Sequence, residues 1–441
     1  MNPILNVIGF LKHQGLGTLL ITPLIRFAAL ISFAALGAAS PGHGQSTTKD
    51  SGGIPVASGV KYETIGTYDL ARLKAILSSE LVTEGFCKKE NEIAFEAPRY
   101  SVKLYRVTYP SAIPEKHNRP TIASGLIAIP ETRREGNPIV CYQHGTVFSK
   151  TQVPSFPEES METRLMIAQF ASQGYIVLAA DYFGKGISAE GDSYLVKSST
   201  QQACVDMLIA SRGVLAEFKI APGPLFLSGW SQGGWATLVL LQHLESLGVT
   251  VKAAATASAP ADVYTVVNRW INNPQPNDAV YLPGILALQL GAQEQYLQGG
   301  LVDMAIKTEY AKACRDLYAN RIDWQTFRKQ TPGKPGEMLK SEFLAASALG
   351  ETEYWVRLQA AHGYRWRSRT PMRCYYGESD EVVPVYIARL PEGFHAITGG
   401  GPTEAISAGA QANHRDTFLF AVKAQKRWFD ELLKSPADKT K

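Results

Sequence analysis

The stretch that decides the fold is residues 225–235, which read LFLSGWSQGGW. An apolar run ends in Gly-x-Ser-x-Gly, and a helical pattern begins directly after it. This order is typical of a nucleophile elbow, a sharp turn from strand to helix that raises one serine above the backbone. Gly229 and Gly233 flank the serine because strand and helix approach too closely there for a side chain. The pattern predicts that Ser231 is a nucleophile at a helix N-terminus; a surface serine in a Gly-rich turn is the alternative.

Short apolar strands and longer amphipathic helices alternate around this stretch. Strands flanked by helices indicate crossover connections, and therefore a mostly parallel sheet with helices on both faces. The sequence thus predicts an α/β fold. The predicted strands are 102–109, 122–129, 138–143, 175–181, 224–228, 252–258 and 372–376, and the predicted helices are 158–172, 201–218, 232–247 and 415–433.

The alternation stops over residues 260–370, where the pattern is almost entirely helical. Helices are expected at 281–297, 302–319, 324–329 and 340–361. About a hundred residues between two strands are too many for a connecting loop. We therefore expect a helical cap or lid, inserted before the strand at 372–376. Its many Trp, Tyr and Leu residues suit a lid that faces an apolar substrate, or alternatively the cap's own core.

The first 39 residues have the features of a signal peptide. Lys12 and Arg26 supply positive charge, residues 27–39 are apolar, and small residues at 37–39 suit cleavage. An uncleaved anchor, which would be the chain's one membrane contact, is the alternative. We expect a secreted or periplasmic protein, with an N-terminal extension over 40–98 and an α/β core formed by 99–259 and 371–441.

The composition narrows the range of partners. The chain has 441 residues, of which 45% are hydrophobic and 19% charged, and its net charge is +4. So small a charge predicts no nucleic-acid partner. No HExxH motif and no zinc-type spacing of Cys and His occurs, so neither a metal nor another cofactor is expected. The sequence makes no prediction about oligomeric state.

Five cysteines are present, so at least one thiol is unpaired. Cys141 and Cys374 fall within predicted core strands, where a free Cys behaves as a small hydrophobe. In an oxidising compartment, one disulfide can form among Cys87, Cys204 and Cys314, and the sequence leaves its pairing open.

A serine nucleophile needs a base within hydrogen-bond reach, and the base needs an orienting carboxylate. After an elbow of this kind the partners follow in the order serine, acid, histidine. Asp380 fits the acid, because it lies in a turn just past the strand at 372–376. His414 fits the base, because it lies in a polar loop just before the last helix. Asp262 and His395 are the alternative acid and base.

The anionic oxygen of a tetrahedral intermediate needs two backbone N–H donors. One is expected at Gln232, the residue after the nucleophile. The second is expected in the loop after strand 138–143, where His144, Gly145 and Thr146 follow one another. We favour the N–H of Thr146, with Gly145 as the alternative, and we interpret His144 as a residue that shapes this loop.

These motifs together resemble one known group, the secretory lipase-like branch of the α/β-hydrolases, which includes fungal secreted lipases and their bacterial relatives. The resemblance covers about residues 100–434 and implies an α/β-hydrolase fold, the triad Ser231, Asp380 and His414, and a structural role for Asp181. It rests on His144-Gly145-Thr146, Asp181-Tyr182-Phe183-Gly184-Lys185-Gly186, Gly229-Trp230-Ser231-Gln232-Gly233-Gly234, Gly377-Glu378-Ser379-Asp380-Glu381-Val382-Val383-Pro384 and His414.

The sequence as a whole predicts a secreted serine hydrolase of carboxylic esters, an esterase or lipase, acting on a small-molecule or lipid ester. The alternative is a serine exopeptidase on the same fold. An exopeptidase would need buried acidic residues in the cap to hold a substrate amine. Acidic residues of this region include Glu294, Asp303, Glu309, Asp316 and Glu342, which are scattered along its predicted helices.

Overall fold

A computed structural model describes residues 54–55, 59–87, 94–132, 136–350 and 352–434. The predicted signal peptide, residues 1–39, lies outside the described residues. Within these ranges we find no helix that combines the length and the hydrophobicity needed to cross a membrane.

The described strands form a single mixed sheet, whose order is β1-β2-β3-β4-β6-β5-β7-β8-β9-β10. Pairing from β1 to β4 and between β4 and β6 is antiparallel, and all other neighbours are parallel. The strands are β1 (Ile54–Pro55), β2 (Lys61–Tyr68), β3 (Val102–Ile113), β4 (Arg119–Pro130), β5 (Asn137–Gln143), β6 (Ile176–Ala180), β7 (Pro222–Trp230), β8 (Ala253–Ala257), β9 (Met372–Tyr376) and β10 (Thr403–Ser407).

Helices follow most of the parallel strands and also fill the long insertion before β9. A π-helical segment, Ile76–Glu80, joins the first two. The helices are α1 (Leu70–Ala75), α2 (Leu81–Thr83), α3 (Met161–Phe170), α4 (Lys197–Glu217), α5 (Gln232–Ser246), α6 (Val263–Asn272), α7 (Leu282–Tyr296), α8 (Leu301–Ala305), α9 (Thr308–Tyr318), α10 (Trp324–Gln330), α11 (Ser341–Leu349), α12 (Glu353–Ala360), α13 (Val385–Ala388), α14 (Leu390–Thr398) and α15 (His414–Leu433).

The sheet separates two apolar cores, as a doubly covered parallel sheet requires. Every residue of β5 is buried, and its side chains alternate between the cores. Cys141 belongs to the core that includes α4, α5 and the inserted helices. Tyr142 belongs to the core that includes α3 and α15. This arrangement agrees with the fold class predicted from the sequence.

The sheet extends further toward the N-terminus than the predicted core boundary at residue 99. β2 pairs antiparallel with β3, with a register shift between Thr64 and Gly66. β2 mixes buried and more exposed residues, so it lacks the continuous apolar character of β5 and β6. Its alternation is also interrupted at the register shift. The sequence of residues 54–98 therefore shows one helical pattern, over 71–81, and no strand pattern.

The insertion is helical, as the sequence predicts, but it is divided differently. α6 was not predicted at all. The expected helix at 302–319 is two helices, because Ile306 between them forms a bridge with Leu339. The expected helix at 340–361 also divides, because Gly350 ends α11 with a left-handed φ of +65°.

The cysteines within the described chain are all buried. Cys204 and Cys314 are free thiols, so neither forms the disulfide that the sequence left open among Cys87, Cys204 and Cys314. Cys141 and Cys374 lie buried in β5 and β9, as predicted. Cys141 packs in the core that includes α4 and α5, and its Sγ accepts from the Gln143 amide over 3.2 Å.

Candidate active site

Ser231 lies at the turn between β7 and α5. Its backbone angles are φ +56° and ψ −123°, a conformation that side-chain-bearing residues rarely adopt. A Cβ atom on Gly229 would collide with the carbonyl of Gly233, and one on Gly233 would collide with the carbonyl of Gln143. The two glycines therefore allow the turn to be this sharp, for the steric reason that the sequence suggested.

The strained turn is held by the neighbouring strand. The Ser231 N–H donates to the carbonyl of Ala257, at the end of β8, over 2.9 Å. Such a backbone conformation costs about 1–3 kcal/mol and persists only where the surroundings enforce it. The Ser231 side chain makes no capping bond to α5. Helix N-termini that lack a side-chain cap favour a bound or developing anion.

Asp380 and His414 are in direct contact. Nδ1 of His414 lies 3.0 Å from each carboxylate oxygen of Asp380. Asp380 Oδ1 also accepts from the backbone N–H groups of Val382 and Val383, each over 2.9 Å. Burial raises the pKa of Asp380, but the charge and hydrogen bond of His414, with the bond from the Val383 N–H, outweigh burial and lower it. Asp380 is therefore a carboxylate that is suited to orient an imidazole.

His414 is fixed from its backbone as well as from its ring. It is the first residue of α15, whose N-cap Asn413 forms a reciprocal capping box with Asp416. Its own N–H donates to Oε2 of Glu381 over 2.9 Å. The residue is buried, so its ring is held between the turn after β9 and the start of α15.

Trp230 connects the serine turn to the histidine. Its ring centroid lies 5.1 Å from that of His414, and its Nε1 donates to the His414 carbonyl over 3.1 Å. The indole also stacks on Phe418 of α15, at 4.7 Å. Since Ser231 follows Trp230 in the chain, the serine turn lies next to the hydrogen-bonded pair of Asp380 and His414.

The loop after β5 approaches the same neighbourhood. The Gly145 N–H donates to Oε1 of Glu162 over 2.7 Å, so this group already has a partner. The side chain of Thr146 exchanges a hydrogen bond with the hydroxyl of Tyr194, at 2.8 Å. Gln232 is buried as the first residue of α5. Of the two donors considered in this loop, the Thr146 N–H is therefore the better candidate.

His144 and Asp181 support this loop from below. The His144 ring stacks on Tyr182 at 4.3 Å, and burial lowers its pKa to about 4. Asp181 accepts hydrogen bonds from the Ser124 hydroxyl and from the Ser155 N–H. These contacts agree with loop-shaping and structural roles.

The alternative acid and base lie in other surroundings. Asp262 caps α6 through the Thr265 N–H at 2.9 Å and pairs with Arg365 at 3.0 Å. His395 contacts the hydroxyl of Thr403 and the carbonyl of Trp366. Neither residue has a hydrogen bond to the elbow.

Sequence reasoning missed three side chains that contact or face this site: Glu162, Glu381 and Tyr281. Burial, followed by the charges of Glu381 and Asp380, raises the pKa of Tyr281 well above its ordinary value. Tyr281 precedes α7 and therefore brings the insertion close to the acid. The stacking of Phe148 on Trp324, at 5.0 Å, makes a second link between the insertion and the loop after β5. Glu381 lies within the quoted segment 377–384 but has no role assigned from the sequence, and no local pattern marks Glu162 or Tyr281.

Comparison with known proteins finds no matching family model and no matching curated protein. Solved structures do match. A Legionella pneumophila protein provisionally described as a hydrolase has a TM-score of 0.73 at 21% identity, covering 85% of this chain and 98% of its own. The rice cell wall degrading esterase LipA from Xanthomonas oryzae has a TM-score of 0.70 at 19% identity, covering 86% and 98%. Candida antarctica lipase A in its closed state has a TM-score of 0.60 at 15% identity, covering 75% and 77%. These likenesses confirm the predicted fold class.

Proposed function

We propose that this chain, whose fold is that of the α/β-hydrolases, hydrolyses carboxylic esters with Ser231 as its nucleophile. The observation that carries the proposal is the strained serine turn beside a buried, hydrogen-bonded pair of Asp380 and His414. A structural serine would not require so costly a backbone conformation. The esterase and lipase names of the structural neighbours support the same class of reaction.

The proposed reaction proceeds through an acyl-enzyme. Ser231 attacks the ester carbonyl while His414 takes its proton, and Asp380 orients the imidazole and stabilises its charged form. The N–H groups of Gln232 and Thr146 stabilise the anionic oxygen, at about 3 kcal/mol each. His414 then returns the proton to the departing alcohol, and water releases the acid by the same steps in reverse.

Three acidic residues of the insertion have cationic partners, which favours esters over peptides as the substrate. Asp316 pairs with Lys312 and Arg321, and Asp303 and Glu294 pair with Arg315. A carboxylate that already has a cationic partner is a poor site for a substrate amine, because the amine would have to displace that partner. We therefore rank an exopeptidase second.

We further propose that the chain belongs to the secretory lipase-like branch and acts outside the cytoplasm. The motifs quoted from the sequence and the apolar N-terminal segment support this assignment. Fractionation of the native host with antibody detection tests it: protein found only in the cytoplasm would contradict it.

Labelling with a fluorophosphonate tests the nucleophile. We expect label on the wild type but none on Ser231→Ala, which should also lose ester hydrolysis by about 10⁶-fold. Ser211→Ala is the matched control, because Ser211 is buried in α4 and donates to the Met207 carbonyl. A folded wild type that takes no label is not a serine hydrolase. Faster cleavage of an aminoacyl anilide than of an aryl ester would favour the exopeptidase.

A further inference from the structure

Glu162 is a buried carboxylate that contacts the loop at residues 144–146, here called the oxyanion loop, and the proposed reaction gives it no role. It lies in the first turn of α3, where the helix dipole favours a negative charge. Its Oε1 accepts from the Gly145 N–H over 2.7 Å and also from the Tyr142 hydroxyl. One carboxylate oxygen therefore joins the end of β5 to the loop that follows it.

The loop leaves little freedom at Gly145. A Cβ atom there would lie 3.1 Å from Oε2 of Glu162 and 3.2 Å from Cε3 of Trp230. Gly145 is thus enclosed between the carboxylate and the indole that precedes the nucleophile. Because the Gly145 N–H is directed at Glu162, this carboxylate fixes the orientation of the His144–Gly145 peptide, directly before the peptide that carries the Thr146 N–H. The carbonyl of the Gly145–Thr146 peptide lies 2.8 Å from Nδ1 of His144.

The groups that face Glu162 come from three parts of the chain. Tyr142 belongs to β5, Tyr182 follows β6, and His414 and Arg415 begin α15. Burial raises the pKa of Glu162 to about 7, although the bonds from Tyr142 and the loop and the charges of His414 and Arg415 oppose this rise. The carboxyl therefore changes its charge near neutral pH.

We propose that Glu162 is a positioning residue, whose carboxylate form holds the oxyanion loop through the Gly145 amide and supports the charged form of His414. The proposal rests on the proposed function. A charge-assisted hydrogen bond is about twice as strong as a neutral one. Protonation of Glu162 therefore loosens the loop and removes a negative charge that faces His414. Both effects act on the transition state more than on bound substrate.

The pH dependence of Glu162→Gln tests this role, because the amide keeps an acceptor oxygen but cannot ionise. We expect the wild type to exceed E162Q in kcat/KM by about 10-fold at pH 8.5, with KM changed less than twofold. The ratio should fall toward 1 at pH 5.5, where both side chains are neutral. Glu245→Gln is the control: Glu245 accepts from Arg369 and Thr370, and its ratio should not vary with pH.

Tyr142→Phe supplies a change in the opposite direction. It removes a donor that favours the carboxylate of Glu162, so the acid limb of kcat/KM should move to higher pH. A limb that stays in place in Y142F, together with a pH-independent ratio in E162Q, would overturn the role of Glu162.

Thermal unfolding gives a readout that does not depend on activity. Because the folded-state pKa of Glu162 lies above its unfolded value, its contribution to stability is complete at low pH and is lost as pH rises through 7. The Tm of E162Q relative to the wild type should therefore rise by about 4 °C between pH 5 and pH 8. A constant difference contradicts the proposal. A wild type that takes no fluorophosphonate overturns both the function and this role, whereas a labelled wild type with an unchanged E162Q profile overturns this role alone.

Discussion

The sheet and the helical insertion solve different problems in this molecule. The sheet carries the serine turn after β7 and the proposed acid after β9, and its strands β5, β6 and β8 are buried along their whole length. The insertion, α6 to α12, shares a core with α4 and α5 and contributes an aromatic cluster to it, in which Trp355 packs against Tyr264, Phe343 and Tyr354. The proposed reaction needs catalytic groups in a fixed geometry, and those groups are carried by the sheet and not by the insertion.

The insertion is nevertheless tied to the sheet beside the proposed acid. The Ala279 N–H donates to the Glu381 carbonyl over 3.0 Å, and the Trp270 indole donates to the Val382 carbonyl over 2.8 Å. Both acceptors follow Asp380 directly. Substitutions in the insertion should therefore affect substrate choice and stability, whereas substitutions at the residues that follow β7 and β9 should abolish the proposed reaction.

The largest expected effect is on kcat, and it distinguishes two buried aspartates: Asp380, in the turn after β9, and Asp262, at the start of the insertion. Asp380→Asn should lower kcat about 10⁴-fold, because the amide favours the wrong imidazole tautomer. Asp262→Asn should keep kcat within about threefold, since Asn remains a good N-cap, and should lower stability by about 1 kcal/mol through the lost pairing with Arg365. Steady-state kinetics and urea unfolding measure both. Equal losses of kcat would erase the distinction.

The next effect compares two histidines whose pKa is lowered to about 4, buried His144 below the oxyanion loop and half-buried His362 after α12. A folded-state pKa below the unfolded value gives stability that is present above pH 6.5 and lost as pH falls through 4. His144→Asn should remove about 3 kcal/mol of this pH dependence. His362→Gln should remove clearly less, because solvent screens its charge. Urea unfolding from pH 7 to pH 4 decides; a larger change in H362Q would contradict the ranking by burial.

The smallest effect separates two tryptophans of the insertion. Trp324→Leu should lower kcat/KM for long-chain esters about 10-fold and spare acetate esters, because the Phe148–Trp324 stack is lost beside the oxyanion loop. Trp355→Leu should lower stability by about 3 kcal/mol without altering chain-length preference. A series of esters of graded length measures the preference. If W355L changes the chain-length preference and W324L does not, the aromatic cluster around Trp355 determines this preference, and the contact of Trp324 with Phe148 does not.

The parts that the sequence predicted best are those governed by local rules. The strand at 372–376 is predicted to the residue, and the four other parallel strands with predicted bounds agree to within about two residues, because short buried strands are continuously apolar. The strands predicted at 102–109 and 122–129 are longer in the structure, at Val102–Ile113 and Arg119–Pro130. The order of Ser231, Asp380 and His414 along the chain also anticipated the hydrogen bond between the last two. Their catalytic roles stay predictions.

The features that were missed depend on contacts between distant segments. β2 is a strand because β3 pairs with it, and its own alternation is broken at Gly66. The burial of Glu162 arises where β5, α3 and α15 meet, so nothing within α3 distinguishes it from a solvated glutamate. The division of the inserted helices at Ile306 likewise needs Leu339, which lies 33 positions later.

The aromatic side chain that precedes the proposed nucleophile gives this molecule an optical reporter of its own. Trp230 lies edge-on to Phe86, stacks on Phe418 and contacts the His414 ring. An imidazolium quenches indole emission more strongly than a neutral imidazole does. Acylation of Ser231, or a change of charge at His414, should therefore alter fluorescence at this indole, and replacing the other tryptophans with phenylalanine would isolate the signal without an attached dye.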